Sequence, residues 1–259
     1  MLEKEKLIKE ANNAIAWIKE YVEKTGAKGV VIGNSGGKDS ATVLAMASKA
    51  IGSEKVLAIG MPCNSISKDL EDAKLVADTF NVKMLSIDLT NTYNELESVI
   101  QNKINMELAD ESKVNIKPRL RMTTLYGIAQ TLGYLVIGTG NLCERTVGYT
   151  TKWGDSATDF NPIGNFTVDE VLAIGAYLGV PEVILKKAPS DGLGKLTDEE
   201  KMGVTYKQIT EFIETGTVED KEALEIIVRK NRASKHKREL VPMYEPDKEY
   251  KINKNNKKS

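Results

Sequence analysis

The segment Gly33-Asn34-Ser35-Gly36-Gly37-Lys38-Asp39-Ser40 joins a short apolar run, Val30, Val31 and Ile32, to an amphipathic stretch over residues 41–50. A glycine-rich turn between a continuous apolar run and a 3.6-period stretch hands a buried strand straight to a helix. A strand followed by a helix reaches its neighbour through a crossover, so it pairs in parallel. The rest of the chain repeats this alternation. Leu7, Ile8, Ala11, Ile15, Ile18 and Val22 recur at helical spacing and predict a first helix ending near Gly26. Residues 29–32, 55–61, 83–87 and 134–137 read as strands, and 39–51, 68–80, 94–106 and 118–132 as helices. The fold class this predicts is α/β: a doubly wound, mainly parallel sheet flanked by helices. Such sheets bind ligands beyond the carboxyl ends of their strands. The glycine-rich turn and Gly138-Thr139-Gly140-Asn141 each follow a strand, so two strand ends are expected to meet at one site.

A Ser-Gly-Gly-x-Asp-Ser turn opening a helix presents backbone N–H groups and a helix N-terminus to an anion, with a carboxylate at hand for Mg²⁺. It is not a Walker A loop, because Lys38 is followed by Asp39 rather than by Ser or Thr, and the G-x-G-x-x-G fingerprint is absent. The bland reading is a tight turn with no ligand. The segment resembles instead the loop of enzymes that split ATP into AMP and pyrophosphate.

Past Gly148 the pattern changes. Residues 149–164 are polar, rich in Thr, Asp and Gly, and aperiodic, which predicts a long functional loop. Residues 167–178 read as a helix capped by Thr167 with Glu170 at the capping-box position. A second loop is expected over 181–195, then helices over 198–214 and 218–230. One domain is expected over 1–249, with a disordered tail over 250–259. The composition limits function. Lys+Arg 36 against Asp+Glu 37 gives a net charge of -1, which speaks against a global nucleic-acid field. No apolar run approaches a membrane span and the amino-terminal segment reads as a charged helix, so no leader is expected, while the two separated cysteines read as those of a reduced cytoplasmic protein. Cys63 and Cys143 lie far apart and His236 is the single histidine, which excludes a Cys/His zinc cluster and leaves oxygen-bound Mg²⁺.

Four further segments bring in a more specific resemblance. GTGNLCERTVGYTTKWGDSATDFNPIGNFT, the preceding NIKPRLRMTTLYGIA, the following KKAPSDGL and the late SKHKR are similar, in this order, to segments of the ammonia-dependent NAD synthetases. The match runs from the first strand to His236 and Lys237. It implies an adenine nucleotide alpha hydrolase-like fold and a two-step reaction. The nicotinate carboxylate of deamido-NAD attacks the α-phosphorus of ATP, releasing pyrophosphate; ammonia then attacks the acyl carbon and AMP leaves.

On this resemblance Gly33, Asn34, Ser35, Gly36, Gly37, Lys38, Asp39 and Ser40 hold the ATP phosphates, with Thr139 and Ser190 as further ATP contacts. Asp39 and Glu144 are the Mg²⁺ ligands. Arg119, Lys152, Asp159, His236 and Lys237 contact deamido-NAD, and Asp39, Lys152 and Ser190 are the residues placed in the catalytic step. Each has a plainer alternative. Asp39 would also favour the first turn of its helix, Glu144 could pair with Arg145 on the surface, and Lys38 could be solvated. Arg119 and Arg121 could form an exposed basic face, Ser190 a simple turn, and His236 a solvated helix face. Relatives carry an ATP-contacting lysine just after the threonine that starts the helix near 167. Here Val168 stands there, so either another cation, with Lys186 and Lys187 as candidates, supplies the charge or the triphosphate is held differently.

The resemblance also implies a homodimer, with ATP within each subunit and deamido-NAD at the subunit interface. Cys63 has neither a histidine nor a suitable acid near it in sequence, so no glutaminase nucleophile is visible; the nitrogen donor is ammonia, free or from a separate partner chain, with free ammonia the expected source. The rivals are other amidotransferases or tRNA-modifying enzymes that share the loop, and a non-catalytic ATP sensor. The enzyme rivals would need a further substrate site or glutaminase part, a basic RNA surface or cysteine pairs, none of which is visible, and a sensor would have no reason to keep Asp39, Glu144, Lys152 and Asp159 in one ordered set.

Overall fold

Val30, Val31 and Ile32 are β-branched, which suits a pleated surface packed on both faces. In the computed structural model, which describes residues 4–64, 67–187 and 197–247, they form β1 (Val30–Gly33). With β2 (Val56–Gly60), β3 (Lys83–Ser86) and β4 (Leu135–Val136) it makes a parallel sheet of order β3-β2-β1-β4. Val30 stands opposite Val56 on one side and Leu135 on the other. The chain steps outward from β1 to β3 and returns across β1 for β4, so the winding reverses between β1 and β4. That reversal opens the crevice in which such sheets hold ligands.

Alternate residues of β1 face opposite layers. Val30 and Ile32 pack with Ile18 of α1 (Lys4–Thr25), Leu44 of α2 (Lys38–Ile51), Val76 of α3 (Ser67–Thr79) and Ile174 of α7 (Val168–Leu178). Val31 packs with Tyr93 of α4 (Thr90–Ile104) and with Met122, Leu125 and Ala129 of α5 (Asp110–Leu132). Each fully buried side chain of Ile or Leu size contributes about 1.5–3 kcal/mol. A third apolar cluster joins α6 (Leu142–Val147), α9 (Asp198–Met202), α10 (Tyr206–Thr215) and α11 (Lys221–Ala233) through Cys143, Met202, Ile209 and Ile227.

The α/β expectation holds, with differences at particular elements. The helix read from 118 begins at Asp110, with Pro118 inside it. Proline is favoured in a first turn, but here the buried Pro118 packs against the 151–154 turn while removing one helical hydrogen bond. The helix read from 94 begins at Thr90. The single helix read over 198–214 is two. Gly203 ends α9 in the left-handed region (φ 72°), and Thr205 starts α10 with a capping box to Gln208. The loop read over 181–195 contains the short α8 (Glu182–Leu185) among its described residues. The predicted tail over 250–259 lies outside the described residues.

Candidate functional site

The turn after β1 is built to approach another backbone closely. Gly36 has φ 73°, and a Cβ there would lie 2.6 Å from the Asp69 carbonyl and 2.8 Å from the Ala73 nitrogen of α3. Only glycine meets both demands. Asn34 is buried; its Nδ2 donates to the Ala73 carbonyl (2.8 Å) and its Oδ1 accepts from the Gly36 N–H (3.2 Å). These polar atoms hold the turn against α3. Ser40 Oγ donates to the Gly37 carbonyl (3.0 Å) and lies 3.1 Å from Ser35 Oγ, so the single Ser40 hydrogen is used and Ser35 donates to it. Gly37 is the N-cap of α2 and offers no side-chain cap, so the first-turn N–H groups lack a side-chain partner.

The second strand end approaches from β4. Asn141 is fully buried and starts α6 with a reciprocal capping box: its Oδ1 accepts from the Glu144 N–H (3.0 Å), while Glu144 Oε2 accepts from the Asn141 N–H (2.9 Å). Asn141 Nδ2 also donates to Asp39 Oδ1 (3.1 Å). One amide thus ties the two predicted metal ligands together across 102 residues of chain. Asn-x-x-Glu is a legible helix-start signal that the sequence reading passed over. Arg145 does not pair with Glu144; its Nη1 donates to the Gly164 carbonyl and to Asn165 Oδ1.

These elements line a cavity of about 590 Å³, within the usual range for a nucleotide-sized ligand. Gly33, Asn34, Ser35, Gly37, Lys38, Asp39, Ser40, Thr139, Glu144 and Lys237 contribute to its wall. Charge is concentrated at the floor. Burial, and then the neighbouring Asp39 charge, push the Glu144 carboxyl well above the usual carboxylate range, against the Asn141 N–H and the Lys38 ammonium. Burial also opposes the charge on Lys38, yet Asp39, Glu144 and Asp198 together hold its ammonium above the ordinary lysine value. Asp198 accepts from the Tyr149 hydroxyl (3.1 Å). Asp198, Arg121 and Asp155 line the cavity and were not singled out as site residues from the sequence.

A divalent cation suits this donor set. Two carboxylates on one floor repel each other, and among the described residues no cluster of three or more His, Cys, Asp or Glu side chains could hold a metal alone. Mg²⁺ is ordinarily held by one or two carboxylates plus substrate phosphates and water, which such a pair can complete.

The predicted dinucleotide contacts lie elsewhere, apart from Lys237. Its Nζ donates to the Gly148 and Thr150 carbonyls (2.8 and 2.6 Å), and burial pulls its pKa down. Arg119, Lys152 and His236 form a cluster outside the cavity wall. Arg119 Nε and Nη2 donate to the Lys152 carbonyl, and Lys152 Nζ lies 3.2 Å from His236 Nδ1. Asp159 is tied to the sheet edge, accepting from the Val136 N–H (2.7 Å) and the Tyr126 hydroxyl (3.1 Å). Burial and this contact raise the Tyr126 pKa to about 12. Ser190 lies outside the described residues. Val168 is buried in the third apolar cluster. Of the two lysines considered in its place, Lys186 pairs with Glu182 on the surface, whereas Lys187 reaches the cavity wall between Asp69 (2.8 Å) and Asp72 (2.7 Å).

Comparison with known proteins adds to this geometry. Residues 10–255 match the family model described as NAD synthase. The NH(3)-dependent NAD(+) synthetase of Carboxydothermus hydrogenoformans is 45% identical over 232 residues, covering 88% of this chain and 95% of that protein. The structure of the NMN synthetase from Francisella tularensis superposes with TM-score 0.87 at 34% identity, covering 95% of this chain and 100% of the other. The NH3-dependent NAD synthetase from Campylobacter jejuni, solved with a nitrate ion, gives TM-score 0.75 at 27% identity, with 95% and 100% covered.

Proposed function

The chain belongs to the NAD synthase family, and from that premise we propose that it amidates deamido-NAD to NAD with ammonia, converting ATP to AMP and pyrophosphate. The observation that carries the reading is the convergence of the uncapped α2 N-terminus with the Asp39–Asn141–Glu144 unit in one cavity at the β1/β4 reversal.

In this reading the N–H groups at the start of α2 receive ATP phosphate oxygens, and Ser35 and Ser40 turn their hydroxyls from each other toward them. Asp39 and Glu144 hold Mg²⁺, which when bound neutralises phosphate charge and polarises the phosphorus under attack. The nicotinate carboxylate oxygen displaces pyrophosphate at the α-phosphorus. Ammonia then attacks the acyl carbon, AMP departs with the C–O electron pair, and the surplus ammonium proton passes to solvent. The protein's part is to hold two anions together at fixed geometry in a partly closed cavity. Lys152 and Ser190 remain the proposed further participants.

A homodimer is part of the proposal. In the α4–α5 region Leu96, Val99, Ile104 and Met106 are exposed apolar side chains of the kind a second subunit would cover. Arg119, Lys152 and His236 lie outside the cavity of their own chain, where a substrate spanning two subunits could meet them. No helix among the described residues is long and apolar enough to cross a membrane. A cytoplasmic site of action is part of the proposal, supported by Cys63 and Cys143 both being buried thiols and not a disulfide pair.

The test is incubation with ATP, Mg²⁺, deamido-NAD and ammonium, with NAD, AMP and pyrophosphate as expected products; ADP or no product overturns the reading. A second reading, with nicotinate mononucleotide as acceptor, is favoured by the TM-score of 0.87 to the Francisella NMN synthetase. Parallel reactions with each acceptor distinguish them by kcat/KM.

A further inference from the structure

Lys38 occupies an unfavourable place for a lysine. It is the first residue of α2, where the helix dipole repels a cation, and it is only 8% exposed. A buried ammonium is tolerated only with strong partners. Its Nζ lies 3.2 Å from Asp39 Oδ2 and 5.3 Å from the centre of the Tyr206 ring. The Glu144 and Asp198 carboxylates are near enough to act on the same charge. Neighbouring cavity lysines are committed elsewhere: Lys187 to Asp69 and Asp72, and Lys237 to two backbone carbonyls.

Two of the other three oxygens of the acid pair have defined partners. Asp39 Oδ1 and Glu144 Oε2 both accept from Asn141, so the ammonium lies on the oxygen of Asp39 that Asn141 does not engage. We propose that Lys38 is a built-in counter-ion of the Asp39–Glu144 pair, and that a divalent cation must displace its ammonium from Asp39 to bind. The inference rests on the reading that this pair holds Mg²⁺. It makes the empty protein a weak metal binder. Metal and nucleotide then enter together, because phosphate oxygens both complete the metal's ligand set and accept the ammonium driven off Asp39.

Mn²⁺ binding to the full chain without nucleotide, followed by the loss of free-ion electron paramagnetic resonance signal, tests this. Lys38→Gln should tighten Mn²⁺ binding about ten-fold or more, since a unit charge beside the ligand is removed. It should lower the Tm of the metal-free protein and enlarge the Tm rise on Mn²⁺ addition. Lys38→Arg keeps the charge and should bind Mn²⁺ as weakly as the unmodified chain. Unchanged or weaker Mn²⁺ binding by a folded Lys38→Gln, or tightening by Lys38→Arg as well, overturns the proposal. If Lys38→Gln does not fold, the unmodified protein decides. The ¹⁵N resonance of the Lys38 ammonium should move on Mg²⁺ addition but not with NaCl of equal ionic strength, and no movement at saturation overturns the proposal. Asp39→Asn and Glu144→Gln separate the two levels. If both leave Mn²⁺ affinity unchanged, the metal reading fails and the inference with it; if they abolish binding while Lys38→Gln has no effect, only the inference fails.

Discussion

The floor of the cavity and the cluster outside it are built on opposite principles. On the floor, Asp39 and Glu144 come from the first turns of two helices that follow adjacent parallel strands, and the buried amide of Asn141 joins them. Outside, Arg119, Lys152 and His236 come from three separated segments, with Arg119 and His236 exposed and Lys152 half-buried, and they meet through side chains and one carbonyl. A group that must stabilise charge during reaction gains from a fixed, desolvated setting. A group that recognises a mobile substrate, or one shared with a second subunit, can remain adaptable until contact. The two regions should therefore fail differently when altered.

The largest effect is expected on the floor. Asp39→Asn should lower kcat/KM by about three decades, or about 4 kcal/mol, with circular dichroism unchanged. Near-normal turnover would remove the contrast altogether. Gly36→Ala should destabilise the protein by about 1–3 kcal/mol, because the added methyl meets the α3 backbone at a left-handed φ; thermal melting measures it. Asn141→Ala deletes a helix cap and the bond to Asp39, and should cost about 2 kcal/mol in denaturant titration and slow turnover. The smallest effects belong outside. Arg119→Ala and His236→Ala should raise the KM for deamido-NAD about ten-fold, leave kcat nearly unaltered and change stability by less than about 0.5 kcal/mol. A loss confined to kcat in these variants would place them with the floor instead.

The same division governs what could be read from the sequence. The strand-to-helix turn was legible because glycine spacing, apolar periodicity and an acid beside a helix start are local features. Thr167 with Glu170 was legible as a capping box for the same reason, and that box is present. Asn141 with Glu144 carried the same local signal, and its tie to Asp39 depends on a contact across 102 residues that no local pattern encodes. Pro118 misled because its N-terminal preference is a tendency that packing against the 151–154 turn overrides. Asp159 was read only as a substrate contact, while its two oxygens also fasten the loop to β4 and to Tyr126.

By itself the sequence determined the parallel α/β architecture and the turn that aims a helix N-terminus at an anion. Both follow from short-range sterics and periodicity, and the ordered motifs narrowed the chemistry further. Only the tertiary structure decided which charges share a space. It turned Lys38 from a candidate phosphate contact into an ammonium held against Asp39, and it set Arg119 outside the cavity while placing Arg121 on its wall. The physical reason is that Coulomb interaction and desolvation depend on distance and burial, which the chain acquires only when its separated strand ends come together.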